Sequence, residues 1–298
     1  MKRALILTFV ISLVFLSGCS FLDRTTDEQL KANTNDVVLS PGASFIIKPT
    51  VLGFGADIKA KISGDQGVKT VTVDSMSIGS SAKLSWEGKQ KYETKDSKIA
   101  QEEYYDEYGS LPIGEKAPIP PEPIYEEKDI NGKFLINNLS TSKDILMPEV
   151  WPEETITTDD NGVIFLSTQS FNELIENKKT DLSLGLTGNI FSQMKLYSYQ
   201  AEEGVDKLKE LVTKEEQESS DPPYELTAED VFDKMKISIN GEDLYIKTIV
   251  SHNWFGEFVV LNNANYPLVL KMTPNPIAIG EGLDFKSLFG YQITDINY

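Results

Sequence analysis

Cys19 is the only thiol in the chain and His252 the only imidazole, so nucleophilic, acid–base and metal chemistry have few places to sit. His252 lies in "VSHNWFGEF", next to Ser251 and two residues before Trp254. A serine nucleophile would need this histidine as its base and a third group to orient it. The nucleophile-elbow pattern G-x-S-x-G is missing, and a lone histidine at a strand end beside an aromatic residue reads first as structural or solvated. His252 is thus the single candidate base for a serine nucleophile. One histidine without a second cysteine cannot supply the nitrogen and sulfur ligands of a zinc site. "GFGADI" opens like a dinucleotide fingerprint but has Ile58 in place of the third glycine, and no P-loop occurs. We therefore expect no cofactor.

Carboxylates are the remaining reactive groups. Asp159 and Asp160 in "TTDDNG", Glu153 and Glu154 in "WPEE" and the acids at 102–107 could pair across a cleft as a glycosidase requires. With 46 acids in the chain, chance adjacency is expected, and a solvated acidic face is the simpler reading. Calcium takes oxygen ligands, which makes Asp159, Asp160 and Asn161 its candidates, with "SGDQG" a second oxygen-rich loop. Neither loop has the spacing D-x-[DN]-x-[DN]-G-x5-E, and a hairpin turn explains "DDNG" equally well. Trp86, Trp151 and Trp254 could line a cleft for a sugar or an apolar ligand, although large aromatics in a β protein usually fill the core.

The amino terminus is more specific. Met1-Lys2-Arg3 is followed by "ALILTFVISLVFL", an apolar run from Ala4 to Leu16, and then by small residues. This is the pattern of an export signal. The run is too short for a spanning helix, which needs about 20 apolar residues. Leu16-Ser17-Gly18-Cys19 places a branched apolar residue and two small ones before the cysteine, and it resembles the bacterial lipobox. The resemblance implies that the Cys19 thiol carries diacylglycerol, that the bond before it is cut and that the new amino terminus is open to further acylation. Residues 1–18 would then be a lipoprotein signal peptide, and 19–36 a lipidated N-terminus and polar tether.

A single cysteine fits that use, because a secreted domain stapled by disulfides carries cysteines in pairs. At about 0.8 kcal/mol per buried methylene, two or three acyl chains, palmitate among them, hold a protein on its membrane unaided. The alternative is an ordinary secretory signal with an incidental cysteine. Ser20, and not aspartate, follows Cys19. By resemblance to the sorting rule of that group, the protein would reach the outer membrane of a two-membrane bacterium. In a one-membrane cell it would sit on the outer leaflet of the cytoplasmic membrane.

Loss of residues 1–18 removes Lys2 and Arg3 but no acid, so the formal charge of −18 becomes −20. Such a chain is repelled by phosphate backbones and anionic headgroups, and no basic patch offsets this, which excludes nucleic acid as a partner. Arg3 and Arg24 are the only arginines. The body therefore lacks the planar fork that reads carboxylates and phosphates bidentately. The 40% hydrophobic and 10% aromatic content of the whole chain is that of a folded domain, not a disordered tail.

The elements that must position these groups are mostly strands. "ASFIIKPTVL", "ADIKAKI" and "VKTVTVDSM" carry β-branched runs between glycines 53, 55, 64 and 67. Asn131-Gly132, Asn161-Gly162 and Asn240-Gly241 each flank an apolar segment and predict two-residue hairpins. A longer hairpin loop is expected at 262–265, and "YQITDINY" reads as a final strand. Ser170-Phe171-Asn172-Glu173 and Thr227-Ala228-Glu229-Asp230 predict helix starts, and "AEEGVDKLKELVTKEEQE" predicts the longest helix. Residues 101–129 hold nine carboxylates against two lysines, with four tyrosines and five prolines. That composition predicts an exposed excursion unable to stay in a helix or a ladder for long.

The expected fold is mainly β, an antiparallel curved sheet or open barrel with two or three helices packed on or inserted into it; α+β is the alternative class. The body spans 37–298, either as one unit or as two halves divided by 101–129. We expect a membrane-anchored cell-envelope lipoprotein that catalyses nothing and binds or scaffolds an apolar ligand or an envelope protein. The alternative is a surface hydrolase acting on glycans through paired carboxylates.

Overall fold

The computed structural model describes residues 37–50, 67–109, 117–148, 151–184, 224–229, 233–275 and 290–298. Among them the chain is mainly β, with a closed five-strand barrel and further strands added to it. The strands are β1 (Ser44–Thr50), β2 (Lys69–Ser77), β3 (Ser81–Glu93), β4 (Tyr125–Ile136), β5 (Thr155–Thr158), β6 (Lys179–Asp181), β7 (Glu225–Ala228), β8 (Asp233–Ile239), β9 (Glu242–Asn253), β10 (Gly256–Leu261), β11 (Val269–Pro274) and β12 (Gly290–Asn297). The helices are α1 (Lys95–Tyr108) and α2 (Thr168–Glu176).

Local chemistry builds three sides of the barrel. Asn240 and Gly241 have φ of 51° and 83°, the left-handed pair that a tight β8–β9 hairpin requires. Trp254 and Phe255 turn β9 into β10, and the 262–268 loop turns β10 into β11. Closure is long-range. One edge of β12 runs along the whole of β1, while its other edge meets β11 at Tyr291 and β8 at Ile296. The β8–β12 contact is parallel, so no hairpin signal announces it, and the expected open barrel is in fact closed.

From β12 the sheet continues outward as β1, β2, β3, β4 and β5. Phe45, Val71, Val73, Leu84, Trp86, Phe134 and Ile136 alternate onto its covered face and are buried. Residues 142–148 and 151–166 fasten this wing to the barrel. Leu146 N–H donates to Val163 at 2.6 Å, Leu166 N–H to Pro267 at 3.0 Å, and Val269 N–H to Ile164 at 2.9 Å. Val163, Ile164, Phe165 and Leu166 are all buried between the two parts.

Several expectations are corrected. Asn131-Gly132 lies in mid-strand, with Gly132 opposite Trp86. A Cβ there would stand within 3 Å of Trp86 Nε1 and of the Pro152 carbonyl, so close packing, not a turn, requires the glycine. At Asn161-Gly162 there is no hairpin either: Val163 carries the positive φ of 62°, and Phe165 N–H closes the turn onto Gly162 at 2.9 Å. Thr227-Ala228 ends β7, and residues 233–235 of the expected second helix lie in β8, so tertiary pairing overrides that cap signal. The cap of α2 is Ser167, not Ser170; its hydroxyl accepts from Ser170 N–H at 3.1 Å. Residues 101–108 complete α1, and 125–129 open β4, against the composition argument. The helix expected at 201–218, the segment "ADIKAKI" and Cys19 lie outside the described residues.

Candidate functional site

Ser251 and His252 are neighbours on β9 and therefore face opposite sides of the sheet. Ser251 is fully buried and its hydroxyl donates to the Phe258 carbonyl at 3.3 Å, whereas His252 is exposed, across from Glu257 and Thr227. The two do not form a nucleophile–base pair with each other.

Most polar groups of the "DDNG" residues are taken up by nearby protein groups, while the Asn161 side-chain Nδ2 is buried without a hydrogen-bond partner among the described residues. Asp159 accepts from the Asn137 amide at 2.9 Å, and Asp160 from the Thr158 hydroxyl at 3.2 Å. Asn161 is buried; its N–H donates to the Thr158 hydroxyl at 3.0 Å and its Oδ1 accepts from Val163 N–H at 2.6 Å. Glu153 is paired with Lys128 at 2.8 Å. Glu102, Glu103, Asp106 and Glu107 are exposed along α1. Among the described residues no group of three or more His, Cys, Asp or Glu side chains is placed to hold a metal ion.

Asp144 joins this cluster without having been singled out from the sequence. It bridges in parallel to Asn161 and to Ser183, and its carbonyl accepts from Gly162 N–H at 2.8 Å. Burial pushes its carboxyl pKa up to about 6, and the nearby Asp160 carboxylate pushes the same way against a stabilising hydrogen bond from Ser183. The available signal was its position: Asp144 directly precedes Ile145-Leu146-Met147, which are buried and draw it inward.

A raised carboxyl pKa means that the folded chain holds this proton more tightly than the unfolded one. The resulting stability is complete below the ordinary carboxylate range and is lost as pH rises through about 6. Asp144→Asn is therefore expected to stabilise the protein by about 1–2 kcal/mol at pH near 7, after discounting for solvent screening, and to change little near pH 4. Urea midpoints of both forms across that range, at unchanged slope, check this. An equal difference at both ends of the range would contradict it.

Among the described residues the most exposed apolar surface lies elsewhere, on an arm. β2 follows β3 only as far as Gly88, and β5 follows β4 only from Lys133. Beyond those points Lys89–Glu93 and Tyr125–Asp129 run on as a two-stranded ribbon. At its end Thr94 caps α1, its hydroxyl accepting from Ser97 N–H at 3.2 Å, and Thr94 N–H donates to the Ile124 carbonyl at 2.9 Å. Of the α1 residues only Ser97 is buried. Tyr92, Ile99, Tyr105, Ile119, Ile124 and Tyr125 are all exposed here, six of the nine large apolar side chains displayed among the described residues.

Compared with known proteins, the chain matches no family model, no curated protein and no solved structure.

The three tryptophans do not share a cleft. Trp86 and Trp151 are buried 5.9 Å apart, with Phe134 edge-on to Trp151 at 5.1 Å. Lys69, itself buried, holds its ammonium 5.4 Å from the Trp86 ring, a cation–π contact strengthened by exclusion of water. Trp254 sits in the β9–β10 turn, edge-on to Phe255 at 5.3 Å.

Proposed function

We propose that this protein is a lipid-anchored lipoprotein of the bacterial cell envelope that binds or scaffolds another envelope protein and catalyses nothing. The observation that carries the reading is Leu16-Ser17-Gly18-Cys19, set after a basic start and an apolar run. Two further observations support it. The charge of −20 left after cleavage repels anionic headgroups, so the lipid and not the body would hold the membrane while the body stands off it. Ser251 and His252 face opposite sides of their strand, which removes the one nucleophile–base neighbour pair that the sequence offers.

A protein partner is favoured over an apolar ligand by where apolar surface is found. Phe258, Val260, Leu270 and Ile293 are completely buried in the barrel strands, whereas the arm displays its isoleucines and tyrosines to solvent. The full chain, extracted in detergent, is expected to turn over no ester, peptide or glycoside substrate. Turnover abolished by His252→Ala, or by replacement of an acid such as Asp160, would overturn the reading and restore the hydrolase.

A further inference from the structure

We propose that the tip of the β3–α1–β4 arm is a docking element whose segment Pro118-Ile119-Pro120-Pro121 inserts into an aromatic-lined, basic-rimmed groove of a partner protein. This deepens the partner-binding reading above and rests on it.

The first argument is conformational. Every residue from Ala117 to Pro123 either is a proline or directly precedes one. Proline fixes its own φ, and steric clash with its ring pushes the preceding residue out of the helical region. The segment is therefore confined to extended, polyproline-like backbone before any partner arrives, and docking it costs little conformational entropy.

The second argument is how the segment is held. The Tyr104 hydroxyl donates to the Pro118 carbonyl at 2.6 Å, and the Gln101 amide donates to the Pro121 carbonyl. The two carbonyls are three residues apart and face the same helix, as the three-residue turn of polyproline II requires. Ser97 completes the attachment by accepting from Ile124 N–H at 2.9 Å. With this side tied to α1, Ile119 is left 91% exposed, the most exposed large apolar side chain among the described residues. Burying an isoleucine is worth about 1.5–3 kcal/mol. Neither the barrel nor the wing collects it.

Charge selects the kind of partner. Residues 101–129 carry nine carboxylates against two lysines, and Glu102, Glu103, Asp106, Glu107 and Glu122 around the segment are exposed. Such a surface is repelled by nucleic acid and by anionic lipid, and is attracted to a protein groove rimmed with lysine or arginine. Exposed proline-rich segments of this backbone type dock into aromatic-lined grooves, where flat rings meet the faces of the pyrrolidines.

The test uses the full lipidated chain in its own cells, with the photo-crosslinker p-benzoylphenylalanine at position 119, or at exposed Ile78 in the β2–β3 turn as the reference. A protein adduct is expected from 119 and not from 78. The crosslinked protein, identified by mass and purified, is then titrated against wild type and Ile119→Ser. Because Ile119 packs on so little, the serine form folds as wild type does, and its Kd is expected to rise about ten-fold or more. Wild-type Kd should also rise between about 0.05 and 0.3 M salt. Absence of an adduct at 119, an adduct made of a second copy of this chain, or equal Kd for the two forms would overturn the proposal. An adduct from 78 alone would overturn it too, while leaving the partner-binding reading in place.

Discussion

Trp151→Ala is expected to lower the stability of the protein by about 3–5 kcal/mol, on the order of 10 °C in Tm. The indole is 6% exposed, lies 5.1 Å from Phe134 and 5.9 Å from Trp86, and donates its Nε1–H to the Leu146 carbonyl at 3.0 Å. Truncation leaves a void too deep in the wing to be filled by small movements, and it takes away the hydrogen bond that the side chain gives to a buried residue. Whole domains are commonly stable by only about 5–15 kcal/mol, so this one side chain accounts for a large fraction. Trp151→Phe keeps most of the volume and loses the hydrogen bond, and should cost about 1–2 kcal/mol plus a small packing term. Denaturant unfolding of the three forms decides the matter. A loss below about 1 kcal/mol for the alanine form would place the ring at the surface and revive the aromatic-cleft reading.

Trp151 also shows which parts of the fold were legible in the sequence. Signals confined to two or three residues were reliable when the backbone itself set them. Asn240-Gly241 makes its hairpin because both residues accept left-handed φ. The same dipeptide at 131–132 fails because Gly132 answers to Trp86 and Pro152, residues 46 and 20 positions away that no local window contains. The wing strands were legible from their β-branched alternation, but the parallel ladders of β4 with β5 and β8 with β12 join segments with no turn between them to read. Helix α1 is hidden by its composition of acids and tyrosines, because what fixes it is Thr94 as its cap and the return bonds from Tyr104 and Gln101.

The candidate residues divide along the same line. That Ser251 and His252 cannot cooperate follows from strand alternation alone once β9 is placed. Asp144, by contrast, owes its raised pKa to burial and to Asp160, sixteen residues further on. The arm was visible as an unusual stretch of proline, tyrosine and acid, yet its use depends on Pro118 and Pro121 being tied to one helix face, which only the assembled ribbon brings about.

The largest effect of all is expected at Cys19, where a single sulfur atom would hold the whole protein on its membrane. Each acyl chain contributes about 0.8 kcal/mol per buried methylene, so one chain binds reversibly and two or three bind firmly. The acidic body adds no attraction of its own for an anionic bilayer. Cys19→Ala removes the thiol that would become the thioether under this proposal, and with it every chain that the modification would add. Intact mass and membrane fractionation of wild type and Cys19→Ala, expressed in the same cells, test this most directly. The account predicts wild type in the membrane fraction, beginning at Cys19 and heavier than its polypeptide by the attached lipid, with the alanine form uncleaved at that point and carrying no lipid. A wild-type protein found free of membranes, with its Cys19 thiol unmodified, would contradict it.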